Sequence, residues 1–156
     1  MNRNPITPAG YATLLKDLKH HKETMRPNVV RDLEEARAHG DISENSEYED
    51  AKERQAHIEG RIMELERMVS AADIIDVTKL PKTGRVVFGT TVVLENKSGT
   101  RTWRIVGETE ADVNAGLVSF KSPVAKALIG KSEGDLIEIA TPGGVQKWEI
   151  TEVRYE

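Results

Sequence analysis

Residues 39–50 read HGDISENSEYED, from His39 to Asp50, and their reading decides how the first half of the chain folds. Upstream, apolar residues recur at helical spacing at Tyr11, Leu14, Leu15, Leu18, Met25, Val29, Leu33 and Ala36, a stripe interrupted by Lys22 and with Pro27 as a point of bending. Thr7 is placed to cap that helix and Pro8 to open it, where a missing N–H is harmless. The pattern stops at His39-Gly40. Glycine suits the left-handed residue that ends a helix, and a histidine beside it suits the negative end of the helix dipole. Downstream, Ala51, Gln55, Ile58, Ile62, Leu65, Val69 and Ala72 alternate four and three positions apart, which predicts a second helix over about 44–72 with a heptad seam. Two such helices, each about 45 Å long at 1.5 Å per residue and joined by a short connection, can only lie antiparallel. The acidic stretch is therefore predicted at the far tip of a coiled-coil hairpin.

The composition narrows what such a tip can do. With 156 residues and 38% hydrophobic content the chain can build one ordinary core or two small ones. Its formal charge is −4, and the acidic excess lies wholly in residues 1–75. A chain of this charge does not hold nucleic acid by neutralising many phosphates on its own. The absence of cysteine excludes disulfides, thiolate nucleophiles and cysteine-based zinc sites. No apolar run approaches a membrane span, and MNRNPITPAG lacks the apolar core of a secretory signal, so a cytoplasmic location is expected.

The second half changes period. RVVFGTTVVLE, TRTWRIVG, GLVSF, DLIEIAT and VQKWEITEVRYE are rich in β-branched and aromatic residues and predict short strands, with turns at 96–99 and 141–144. One helix is expected among them, capped by Ser122, opened by Pro123, with Val124, Ala127 and Leu128 facing inward and Gly130 at its end. The division drawn is a hairpin over 1–75, a linker over 76–83 and a small, mostly antiparallel β domain with one helix over 84–156. The fold class is α+β.

The tip carboxylates have two readings. Asp41-Ile-Ser-Glu44 matches a capping box, in which Asp41 caps the second helix and Glu44 reaches back to it, while Glu47, Glu49 and Asp50 favour the positive helix end. Alternatively, two carboxylates so close repel unless a cation relieves them. Magnesium binds proteins through one or two carboxylates and takes its other ligands from water and substrate phosphates, so Asp41 and Glu44 make half of a magnesium site whose other half comes from a partner.

ARAHGDISENSEYEDAKE, IIDVTKLPKTGRVVFGTTV, RIVGETEAD, SPVAKALIGK and TPGG, in this order, resemble the GreA branch of the bacterial Gre transcript cleavage factors over essentially the whole chain. The resemblance implies an N-terminal antiparallel coiled-coil hairpin and a C-terminal FKBP-like domain that docks on the rim of the secondary channel of bacterial RNA polymerase. It implies that Asp41 and Glu44 complete a magnesium site shared with the polymerase, no metal being held tightly by the chain alone, so that the polymerase cleaves backtracked RNA and elongation resumes. The factor would then be no enzyme itself. The partners implied are the polymerase and the 3′ end of the backtracked nascent RNA, with no membrane and a monomeric chain. Arg37 and Lys52 match the family's basic patch that meets the extruded RNA, here small enough to suggest short cleavage products. Ser122 and Pro123 match the segment that contacts the polymerase rim.

Other classes fit less well. A prolyl isomerase needs an open aromatic-lined pocket, whereas Phe88, Trp103, Phe120, Trp148 and Tyr155 fall where a small core needs them. A relative that blocks the channel without promoting cleavage is the main rival, and the retained Asp41 and Glu44 speak against it. A stand-alone metalloenzyme lacks suitably spaced ligands: His20 and His21 are adjacent, and His57 has no partner at the spacing of a zinc helix. Tyr48 is a supporting residue at the tip, able to pack, to steady the loop or to stack near a base.

Overall fold

The computed structural model of the chain describes residues 3–39 and 46–156. The chain groups into two units, residues 11–72 and residues 1–10 together with 73–156.

The helical unit is built from α1 (Pro8–His20), which begins in the other unit, α2 (Arg26–Ala38) and α3 (Ser46–Ala71), followed by the short strand β2 (Ala72–Ile74). Side-chain pairs between its two arms show their register: Lys22 meets Glu66, Arg26 meets Glu59 and Asp32 meets Arg54 as ion pairs, and the His39 ring meets the Glu47 carboxylate. As one number rises the other falls, so the arms run antiparallel. The stripe read from the sequence is the buried one, with Leu14, Val29, Leu33, Ala36, Ala51, Ile58, Ile62 and Leu65 all buried. Leu15 departs from it and is 43% exposed. At 26 residues α3 is about 39 Å long. The expected helix end at Gly40 and the expected helix start at Glu44 lie outside the described residues.

The bend expected at Pro27 takes another form. Between α1 and α2, His21–Met25 is a π-helical turn in which the Arg26 N–H donates to the His21 carbonyl, and Pro27 sits in the first turn of α2. Proline offers no N–H to the carbonyl four residues back and its ring presses on it, so a locally wider turn accommodates the residue without ending the helix.

The other unit holds a five-stranded sheet in the order β5-β4-β3-β7-β6, formed by β3 (Thr91–Asn96), β4 (Gly99–Val106), β5 (Leu117–Ser119), β6 (Leu136–Thr141) and β7 (Gly144–Arg154). The mostly antiparallel arrangement expected has one exception: β5 runs parallel to β4. The connection carries two 3-10 turns, Glu108–Glu110 and Val113–Ala115, which return the chain to the start of its neighbour. The strand expected from Arg85 begins only at Thr91. Gly89 has φ +89°, and the Thr90 hydroxyl donates to the Val87 carbonyl, so these residues turn before pairing starts. The helix α4 (Pro123–Leu128) packs on β5 and β6 and buries Ala125 and Leu128, with Val124 and Ala127 only half-buried.

Two further differences concern the boundaries. Residues 76–83 read as a linker in the sequence, yet Val77 is buried in the sheet unit's core beside Val86, Leu94, Ile105, Trp148 and Ile150. A 3-10 turn over Val77–Lys79, capped by the Asp76 carboxylate on the Thr78 N–H, turns that side chain inward. At the other end of the chain, the strand β1 (Asn4–Ile6) pairs with β2, and the Ile75 N–H donates to the Ile6 carbonyl. Glu110 fastens the following residues. Its carboxylate accepts from the Thr7 N–H at 3.1 Å, from the Thr7 hydroxyl, and from the Gly107 N–H at 2.8 Å. The Thr7 hydroxyl oxygen in turn accepts from the Gly10 N–H, which makes it the cap of α1.

Leu94 is fully buried in the sheet core, and both tryptophans lie in that unit. Leu94→Ala is expected to lower its stability by about 2–5 kcal/mol. Urea unfolding followed by tryptophan fluorescence checks this.

Candidate functional site

Near the end of the helical unit the seam is made of small residues. Ala36 on α2 and Ala51 on α3 are 3% and 1% exposed, which lets the two backbones approach closely. Arg37 and Lys52 each follow one of these alanines and are exposed on the flank of the seam. Tyr48 lies one helical turn before Lys52 on α3, so the two side chains are neighbours on the helix surface.

These three side chains converge. The Arg37 guanidinium carbon lies 5.8 Å from the Tyr48 ring centroid and the Lys52 ammonium 5.9 Å from it, both within the range of cation–π attraction. The arginine also hydrogen-bonds the phenol. That bond, with smaller help from the charges of Lys52 and Arg37, holds the Tyr48 hydroxyl below the usual tyrosine range.

Elsewhere on the helical unit several cations are matched with carboxylates. Arg26 grips Glu59 with two hydrogen bonds, of 2.8 and 2.7 Å, which raises the arginine pKa and lowers that of the glutamate. Arg54 meets Asp32 at 3.0 Å. Arg61 joins Asp17 and Glu64, and Lys22 meets Glu66. Among the described residues Arg37 and Lys52 have no carboxylate partner, although Glu34, Glu35, Glu47, Glu49, Asp50 and Glu53 are all exposed in the same stretch. His39 and Glu47 form a 3.4 Å contact across the two helices.

The structure thus brings Arg37 and Lys52, read from the sequence as an RNA-contacting pair, onto one aromatic ring. Asp41 and Glu44, read as metal-sharing carboxylates, lie outside the described residues. Among the described residues no group of three or more His, Asp or Glu side chains is placed to hold a metal ion. Ser122 and Pro123 belong to the sheet unit and are not part of this cluster. The Ser122 hydroxyl oxygen accepts from the Ala125 N–H at 3.2 Å, and Pro123 is exposed at the first position of α4. Beside them Lys121 reaches Glu108 at 3.3 Å and lies 5.7 Å from the Phe120 ring centroid. In the sequence Tyr48 reads only as support; its four-residue spacing from Lys52 is visible there, but its meeting with Arg37 depends on the register of the opposite helix.

Two family profiles cover almost the whole chain: one described as "Transcription elongation factor, N-terminal" matches residues 4–74, and one described as "Transcription elongation factor, GreA/GreB, C-term" matches residues 80–155. Among curated relatives, a protein of Ruegeria pomeroyi named "Transcription elongation factor GreA" is 50% identical over 99% of both chains. A Methylobacterium protein of the same name is 52% identical with the same coverage. A solved structure titled "Structure of the transcription factor Gfh1." is 31% identical over 97% of each chain, with a TM-score of 0.46 that leaves the assignment to the sequences.

The Tyr48 phenol is expected to ionise at a lower pH than that of free tyrosine, because Arg37 favours the phenolate. Arg37→Gln removes that preference and is expected to move the transition up toward about 10. Ring-carbon NMR titration of the Tyr48 signal in the wild type and the variant reads the shift.

Proposed function

Because the chain belongs to the GreA/GreB family of transcription elongation factors, we propose that it acts on bacterial RNA polymerase, entering the secondary channel with its hairpin tip and stimulating the polymerase's cleavage of backtracked RNA. The observation that supports this reading is the antiparallel register of the hairpin arms α2 and α3, between which Asp41 and Glu44 fall in the sequence. A narrow helical pair about 39 Å long reaches a catalytic centre that a globular domain could not enter.

Paired carboxylates are the donor chemistry that magnesium accepts, and the ion, when shared with the polymerase, supplies the Lewis acidity that activates a water against the phosphodiester. In this reading Asp41 and Glu44 hold their side of that site. Arg37 and Lys52 meet the RNA strand behind the 3′ end, where their charge offsets that of the phosphates. Ser122 and Pro123, fixed by the capped first turn of α4, contact the polymerase rim. The chain contributes ligands and orientation, and the bond is broken in the polymerase's own active centre.

Asp41→Ala/Glu44→Ala is expected to reduce RNA cleavage in backtracked elongation complexes by roughly 10²-fold or more, while the variant still competes with the wild type for polymerase. A wild-type chain that binds and leaves the RNA intact, or slows its basal cleavage, defeats the proposal. Pro123→Ala with Ser122→Ala is expected to raise the concentration needed for half-maximal cleavage and to leave the saturating rate within about twofold, since substitutions away from the reacting atoms remove binding shared by all states.

A further inference from the structure

Near the tip the hairpin holds Arg37 and Lys52 beside a neutral ring in a segment rich in exposed carboxylates, none of which meets either cation among the described residues, whereas Lys22, Arg26, Arg54 and Arg61 each meet an acid. An arginine paired with a carboxylate through two hydrogen bonds, as Arg26 is with Glu59, has its best donors occupied and must break that pair to take a phosphate. An arginine held by a ring and one phenol oxygen keeps most of its five N–H donors available. A lysine attracted to the same ring keeps its ammonium group hydrated and mobile enough to follow an anion. Bringing two like charges together is unfavourable, and the negative face of an aromatic ring offsets part of that repulsion without neutralising either charge.

We propose that Tyr48 is a positioning residue for RNA, its ring holding Arg37 and Lys52 side by side and away from the surrounding carboxylates, so that together they clasp a phosphate of the backtracked strand. This rests on the function proposed above and assigns to a residue without charge the task of keeping the tip's cations usable. The hydrogen bond from Arg37 to the phenol, which also lowers the phenol pKa, belongs to the same contact. The ring, rather than the hydroxyl, is the larger part of the device, because both cations lie within reach of it.

The test uses the full-length chain, backtracked elongation complexes and polymerase without RNA. Tyr48→Leu removes the ring and is expected to lower the saturating cleavage rate about tenfold, with unchanged affinity for polymerase without RNA. Tyr48→Phe keeps the ring and is expected to stay within about threefold of wild type. A phosphate clasp also predicts a salt signature: the log–log dependence of cleavage on salt should flatten in Tyr48→Leu by about 0.7 for each RNA phosphate no longer neutralised. Loss of helix stability would not produce that change. In a chain already carrying Arg37→Gln and Lys52→Gln, adding Tyr48→Leu is expected to do nothing more. A further loss in that background, an unchanged rate and salt slope in Tyr48→Leu, or an equal loss in Tyr48→Phe overturns the proposal. If the wild type cleaves and only these comparisons fail, the positioning role alone falls; if the wild type itself stimulates no cleavage, the functional reading falls with it.

Discussion

Burial of one apolar stripe along α3 against the opposing arm is the constraint on which the helical unit depends. Ile58, Ile62 and Leu65 are at most 8% exposed, and burying each such side chain is worth about 1.5–3 kcal/mol. No long-range sheet pairing holds the two helices, so the register of this seam decides which outward side chains meet. A slip by one heptad would leave the seam apolar but would separate Arg26 from Glu59 and Asp32 from Arg54. Those exposed pairs contribute little energy each, but they penalise the wrong register together. They act as selectors, while the apolar stripe supplies the stability.

The same register explains why the tip differs from the shaft. Toward the C-terminal end of α2 and the start of α3 the seam residues shrink to Ala36 and Ala51, and close backbones leave flanking side chains within reach of one another. Along the shaft, where the seam residues are larger, the flanking side chains form ion pairs. At the level of Tyr48 they form an aromatic contact with two cations. Attraction to a ring is of the same order as an exposed ion pair, about 0.5–1 kcal/mol, so stability alone gives no preference between the two arrangements. What differs is the charge left over: an ion pair removes it, whereas the ring leaves it in place.

Much of this was legible in the sequence, for identifiable reasons. The heptad spacing from Ala51 to Leu65 requires only that a helix bury one face, and the structure buries it. Ser122, Pro123 and Gly130 bracket α4 because capping and termination are local chemistry. Local pattern failed where distant partners decide. β1 and β2 are three residues each, too short for a period to show, and exist because they pair with one another. Val77 sits in a polar, proline-bearing stretch that reads as a linker, yet the sheet core has a place for it. Arg85–Thr90 has strand composition but is interrupted by Gly89 in a conformation that strands do not use. The tip cluster was half legible, since Tyr48 and Lys52 share a helix face by spacing while Arg37 joins them only through the pairing of α2 with α3.

Glu110 shows the same division between local signal and distant partner in the sheet unit. In the sequence it is one acid among several in GETEAD, and nothing local separates it from Glu108. In the fold its carboxylate accepts from the Thr7 backbone and hydroxyl and from Gly107, closing the 3-10 turn of its own loop and the start of α1 with one group. The backbone is fitted around it: a Cβ on Gly10 would fall 2.3 Å from the Glu110 carboxylate, and one on Gly107 would fall 2.6 Å from the Pro5 carbonyl oxygen. An acid that satisfies otherwise unmatched N–H groups at a helix start is favoured by the helix dipole as well as by its hydrogen bonds. The N-terminal strand, whose buried apolar anchor is Ile6, is therefore held by a charge-assisted clasp as well as by its short pairing with β2.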